Sequence, residues 1–381
     1  MSLLASTREA VLQAYGGAIG QPAAALTTPA LLLDLPAARR NIARMAEGLA
    51  AISPSVSLRP HVKTHKSPDL ARLQAAAGAR GFSTATVWEA MVLAESGLDD
   101  LFVVNTVEGA GKIACLANLA RKRRVLVAVD NLENAQRLSR AAVAAGATLR
   151  VLIEIDTGMR RCGLADPERA ASLAAQLSDL SGLEFVGVTG YEGHCSLEDD
   201  VEVRAVKQRL AMDIFLSAVA AIEARGLPCP IVSAGGTRTW WLTAATSGIT
   251  EIQAGTYLLM DRFHSGIQGG FEPALRILAT VISRSADRFV VDAGSKAIAD
   301  ADQAAVDGPA LPNLGFDEEH GRFGLLPGFD VVPGETVQLF PGYVPSTINL
   351  YEAYHVIEDG QVVDIWPIVP RGPGHHGLVV V

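Results

Sequence analysis

Between Pro36 and about Tyr257, short runs of apolar, β-branched residues alternate with longer Ala-, Leu-, Arg- and Glu-rich stretches of helical period. That alternation is the mark of βα units feeding a parallel sheet. The apolar runs predict eight strands, at residues 56–62, 81–84, 101–104, 125–129, 149–155, 184–189, 230–233 and 249–253. Helical stretches fall between them, for example at 131–145 and 166–177. Several strands are almost wholly apolar, as expected where both faces are covered. Eight units within this length predict a closed (β/α)8 TIM-type barrel, class α/β, in preference to an open doubly wound sheet.

After about Arg262 the helical period disappears and Gly and Pro become frequent. Short segments at 289–291, 336–339 and 355–357 predict a second, C-terminal all-β domain, with a hairpin turn at 358–361. Before the barrel, residues 28–35 (TPALLLDL) form a lone strand suited to pair with that domain. The expected organisation is a barrel over 36–264 and a β domain built from 1–35 plus 265–381.

Composition narrows the function classes. In 381 residues, 49% hydrophobic and 19% charged positions supply a large core and exclude a disordered chain. A net charge of -9 leaves no basic face, so neither nucleic acid nor an anionic membrane surface is an expected partner. No apolar run approaches the roughly 20 residues that span a bilayer. The first residues, with Arg8 and Glu9 among them, do not read as a signal peptide. Cys115, Cys162, Cys195 and Cys229 are widely spaced, without a C-x-x-C pair, which suits a reduced, cytoplasmic protein acting on a small molecule.

In a barrel of this kind, chemistry sits at the C-terminal ends of the strands. The first strand runs into RPHVKTHK, residues 59–66, the densest polar cluster in a chain with only six lysines. Burial and neighbouring cations would destabilise a lysine ammonium there and leave an amine that adds to carbonyls. The seventh strand runs into SAGGT (233–237) and the eighth into QAGTY (253–257), at the two loops where such barrels commonly bind phosphate. A carbonyl-seeking amine beside a phosphate site points to pyridoxal 5'-phosphate. The loop 154–163 offers two adjacent arginines, and GYEGH (190–194) offers a phenol, a carboxylate and an imidazole.

RPHVKTHK, the DTGMRRCG part of the loop (156–163), GYEGH and SAGGT, in this order along the chain, resemble the D-threonine aldolase and D-serine dehydratase family of fold-type III pyridoxal-phosphate enzymes, whose barrel is related to that of alanine racemase. The resemblance runs from TPALLLDL to Trp366-Pro367. It implies a homodimeric lyase acting on a D-amino acid with a β-hydroxyl, with active sites between barrel and β domain. It also implies that Lys63 carries the cofactor, that Arg161 meets its phenolic oxygen and that Tyr191 faces its pyridine nitrogen. Gly236, Thr237, Gly255 and Thr256 would bind the phosphate, and His61 and His194 would line the pocket, with His194 a candidate for moving a proton.

One stretch departs from the family. Its lyases carry in the β domain a His and, two residues later, a Cys or Asp that bind a divalent metal. Here the stretch reads PGYVPSTINL (341–350), with Tyr343 and Pro345 at those places. A proline side chain cannot ligate a metal, so no metal is expected at this position, and His375 and His376 in the Gly/Pro-rich tail are set aside as replacements. Tyr343 could act as an acid/base instead, as a tyrosine does in alanine racemase. The rival readings are a racemase or epimerase using Lys63 and Tyr343, a cofactor carrier without turnover, and a metal-dependent barrel hydrolase using His61 and His65.

Overall fold

The computed structural model describes residues 3–372, so the pair His375-His376 lies outside the described residues. The chain divides into two compact units, one of residues 45–63 and 71–255 and one of residues 3–44, 64–70 and 256–372. Among the described residues no helix is long and apolar enough to cross a membrane.

The first unit holds the eight parallel strands Ser57–Leu58, Phe82–Thr84, Leu101–Val103, Val125–Val129, Leu149–Ile155, Leu183–Gly190, Ile231–Ala234 and Glu251–Ile252. From the second strand onward, neighbours in sequence pair with each other, and the eighth strand pairs back with the first. The ring is closed between the first and second strands, where Arg80 N donates to Leu58 O at 2.9 Å and Ser83 N to Pro60 O at 3.0 Å. The (β/α)8 barrel read from the sequence is therefore the fold of this unit.

The first strand is shorter than the 56–62 the sequence predicts, and Pro60 is the reason. Alternate residues of a strand face alternate neighbours: Arg59 N bonds Ile252 O and His61 N bonds Ala254 O, while residues 58 and 60 face the second strand. Proline has no N–H for that side, so a rung is missing and regular pairing stops. The chain then turns through a short 3-10 segment, Val62–Thr64, which carries Lys63.

The same seam is pinned by charge. The Arg59 guanidinium, 1% exposed, forms a two-pronged pair with Glu251 of the eighth strand, at 2.9 and 2.8 Å, and reaches Asp100 Oδ1 at 3.0 Å. Gly81 makes room for it, since a Cβ there would lie 2.4 Å from Arg59 Nη1. Helices between strands start where local chemistry dictates. Asn131 and Asp166 cap Leu132–Ala145 and Pro167–Ser178 with their side chains, within a residue of the stretches read as helical.

The second unit is built on a nine-stranded, mostly antiparallel sheet. Its N-terminal strand Ala30–Asp34 pairs antiparallel with Leu275–Arg284 and parallel with Ala353–Glu358, so the lone early strand does join the later ones. The predicted hairpin turn lies between Ala353–Glu358 and Gln361–Pro367, with Asp359 and Gly360 both at positive φ, as a two-residue turn of type I′ demands. Helix Leu3–Tyr15 packs on this sheet by setting Val11 against Val362 and Ile365.

Candidate active site

Three residues read from the sequence, Lys63, Arg161 and Gly236, gather around the ring of a fourth, Tyr191, at the C-terminal end of the barrel strands. Tyr191 follows the sixth strand directly, and a Cβ at Gly193 would come within 2.4 Å of its ring, so the turn after it needs glycine. Lys63 Nζ lies over the ring, 5.7 Å from its centroid, and the Arg161 guanidinium carbon stands at the same 5.7 Å. Gly236, in the turn after the seventh strand, packs against the ring edge, and a Cβ there would lie 3.0 Å from Tyr191 Cε2. His194 sits beside Gly158, whose Cβ position is 3.6 Å from the imidazole.

Electrostatics follow from burial. Burial first, and then the Arg161 charge, lower the Lys63 pKa below the usual lysine value, partly opposed by Glu89. A depressed lysine is what a carbonyl-seeking amine needs near neutral pH. The cation responsible is Arg161, not Arg59 as the octad alone suggests, because Arg59 is neutralised by Glu251 and Asp100. Burial and then the Glu192 charge raise Tyr191, so its phenol stays protonated. Burial also raises Glu154, which lies 3.7 Å from Arg161 Nη2 and holds that guanidinium loosely.

His194 Nε2 is 3.6 Å from Cys195 Sγ, a spacing that invites a thiolate–imidazole reading. Burial pushes that thiol up to about 12, which argues against an ion pair. The other ring nitrogen of His194, Nδ1, is buried without a hydrogen-bond partner among the described residues. Orphaned buried nitrogens are rare in folded proteins, and this one suits a bound polar group. His61 is buried, and its Nδ1 faces Lys63 N at 3.4 Å.

Of the phosphate candidates, Gly236, Thr237 and Gly255 belong to the barrel unit and Thr256 to the other. The Gly236 N–H donates to Thr239 Oγ1 at 3.1 Å. Thr237 is 5% exposed. Thr256 is likewise buried, with its hydroxyl 3.4 Å from that of Thr64. Tyr343 is in the second unit, where it precedes the short helix Val344–Ile348 and Pro345 occupies the first turn. Its ring stacks on His264 at 6.2 Å, and Val344 N donates to Asp261 Oδ2.

Three polar side chains of the barrel carry more than their sequence suggests. Glu192 is fully buried and accepts hydrogen bonds from Thr239, Thr243 and Gly235. Gln253 ties Ser83, Thr189 and Ser233 together under the site, one residue from each of three other strands. Glu89 receives Ala85 N at 2.6 Å while its own N–H goes to Thr86 Oγ1. The Thr86-x-x-Glu89 spacing is a capping signal that a reader could find. The partners of Glu192 and Gln253 are remote in sequence and leave no local signal.

An alanine-racemase-like barrel with a β domain is thus the class that fold and site define, and comparison with known proteins agrees. A family model described as alanine racemase, N-terminal domain, matches residues 33–262, and one described as putative serine dehydratase domain matches 274–357. A D-threonine aldolase of Arthrobacter sp is 38% identical over 361 residues, covering 93% of this chain and 95% of its own. A 3-hydroxy-D-aspartate aldolase of Paracoccus denitrificans (strain Pd 1222) is 34% identical over 370 residues, with 93% and 95% covered. The crystal structure of a D-threonine aldolase from Filomicrobium marinum superposes with a TM-score of 0.89 at 34% identity, over 93% of this chain and 98% of that one. The chain belongs to this family, in which an alanine racemase N-terminal domain is joined to a serine dehydratase domain.

Proposed function

We propose that the protein is a pyridoxal-phosphate-dependent lyase acting on a D-amino acid with a β-hydroxyl. The observation that carries this reading is the placement of Lys63 and Arg161 over one half-buried phenol, Tyr191, at the mouth of the barrel. The relatives of known activity support it, since two of them are named as aldolases of D-threonine and 3-hydroxy-D-aspartate. They favour it over the racemase alternative that the Lys63 and Tyr343 pair suggests.

The donor set fits the cofactor. Lys63 offers an amine of lowered pKa for the aldehyde, Arg161 a guanidinium for the phenolic oxygen, and the orphaned His194 Nδ1 a further polar contact. Tyr191, kept neutral by burial, would meet the pyridine nitrogen without placing a full negative charge there. Thr237, Gly255 and Thr256 would take the phosphate, while Gly236, read from the sequence as a fourth donor, gives its N–H to Thr239 Oγ1 and would shape the turn beside it. When bound, pyridoxal phosphate supplies the electron sink for breaking a bond at Cα.

The remaining work falls to this chain's side chains. Lys63 would hold a basic nitrogen at the site and could take or return a proton at Nζ. Its lowered pKa favours the neutral, proton-accepting form more than in an ordinary lysine. His194 is the proposed second proton carrier, through the Nδ1 that has no hydrogen-bond partner among the described residues. Tyr343 is the proposed acid/base of the second unit. Because Tyr343 and Pro345 occupy the positions of the family's metal ligands, the reaction is proposed to run without the divalent ion at that site.

The deciding experiment offers D-threonine, D-serine and D-3-hydroxyaspartate to the protein reconstituted with pyridoxal phosphate. Glycine plus an aldehyde identifies aldol cleavage, and a keto acid plus ammonia identifies dehydration. Formation of the L-isomer alone contradicts the lyase reading and supports the racemase. A homodimer and a cytoplasmic location complete the proposal, the former checked by light scattering.

A further inference from the structure

We propose that Glu192 is the positioning residue of the phosphate subsite, fixing the 235–239 turn in the shape that receives a phosphomonoester. The inference rests on the cofactor reading above and deepens it. Glu192 is 0% exposed, and no ion pair reaches it among the described residues. A carboxylate buried among neutral groups is costly unless donors surround it. Here Oε1 accepts from the hydroxyls of Thr239, at 2.7 Å, and Thr243, at 2.6 Å, while Oε2 accepts from Gly235 N at 3.2 Å.

These bonds have a direction that the carboxylate imposes. An ionised carboxylate only accepts, so both threonine hydroxyls must point their hydrogens at it. Thr239 Oγ1 is then an acceptor toward the turn and receives Gly236 N–H at 3.1 Å, and Thr243 Oγ1 in the same way receives Gln208 Nε2 at 3.2 Å. Two successive N–H groups, of Gly235 and Gly236, are thereby drawn back into the protein.

That arrangement holds Gly235 at a φ of 86°, a left-handed conformation that suits glycine, and presses Gly236 on the Tyr191 ring. The next residue, Thr237, is the one assigned to the phosphate. Glu192 also follows Tyr191 in the chain, so one side chain ties the ring-binding end of the sixth strand to the turn after the seventh. An amide at this position would bring its own N–H₂ against a hydroxyl or against Gly235 N and reverse at least one rung of the network.

The test uses the apoprotein and two aldehydes, pyridoxal phosphate and pyridoxal, which share ring and carbonyl and differ by the phosphate. Binding is read from the absorbance of the lysine adduct. Glu192→Gln is expected to weaken pyridoxal phosphate binding by roughly tenfold or more while leaving pyridoxal within about twofold, the scale of a lost hydrogen bond to a charged group. Thr239→Val, which keeps the carboxylate and removes the relay to Gly236, is expected to show the same selective loss to a smaller degree. It keeps the proposal open to refutation if Glu192→Gln does not fold. Equal losses for the two aldehydes, or none for either, would overturn the assignment and leave the cofactor reading intact. A wild-type protein that fails to prefer the phosphorylated aldehyde would overturn the cofactor reading itself.

Discussion

The side-chain nitrogen of Lys63 stands 5.7 Å from the centroid of the Tyr191 ring. With the exposed Arg161 guanidinium over the same ring, the site sets a second cationic group beside the half-buried Lys63. Lys63 is the group that gives way, and its lowered pKa is a consequence of geometry that can be tested by removing either neighbour.

Arg161→Gln removes the like charge and is expected to raise the Lys63 pKa toward 10.5, although burial continues to lower it. Attachment of pyridoxal phosphate to the apoprotein should then need a more alkaline pH than in the wild type. Glu89→Gln removes the one opposing charge and should move the profile the other way. The pH dependence of adduct absorbance measures both. The sign for stability follows by linkage: folded Lys63 binds its proton less well than unfolded lysine, so the unfolded state holds more protons in the window below 10.5. That group's contribution therefore makes the apoprotein more stable as pH rises through the window.

Gly236→Ala places a Cβ 3.0 Å from Tyr191 Cε2. Either the ring or the turn must shift, at a cost of about 1–3 kcal/mol typical of an overpacked site. The expected result is a modestly lower melting temperature together with weaker pyridoxal phosphate binding, measured by calorimetry and by adduct absorbance. Unchanged binding would show that the turn does not serve the cofactor.

Glu251→Gln breaks the two-pronged partner of Arg59 and leaves a buried guanidinium held only by Asp100. Removing one member of a buried pair costs about 3–5 kcal/mol, and the remaining Asp100 should keep the loss toward the lower figure. Because Arg59 acts at the seam that closes the barrel, the variant should unfold at lower denaturant concentration while Lys63 retains its adduct spectrum.

Treatment with EDTA is expected to leave lyase activity unchanged if, as proposed, Tyr343 and Pro345 replace the family's metal ligands. Loss of turnover on chelation, with recovery on adding a divalent ion, would show that other residues bind a metal.

The barrel was legible because each of its strands carries its own apolar run and the helices between them their own caps, such as Asn131 and Asp166. Local signals failed where distant residues decide the outcome. Pro60 removes a rung toward a strand that lies some twenty residues on, and so shortens the first strand. Arg59 looks like a cation pressing on Lys63 until Glu251 is brought beside it from the other end of the barrel. Glu192 reads as one polar member of GYEGH, and only the folded turn after the seventh strand shows why it is there.

The most direct measurement is the absorbance of Lys63→Ala protein offered pyridoxal phosphate, followed by borohydride reduction and mass analysis. The account predicts that wild-type protein gains a visible band and, after reduction, a cofactor adduct on Lys63, and that the variant shows neither. An adduct in the variant carried by another lysine, such as Lys66, or a wild-type protein that stays colourless, would contradict it.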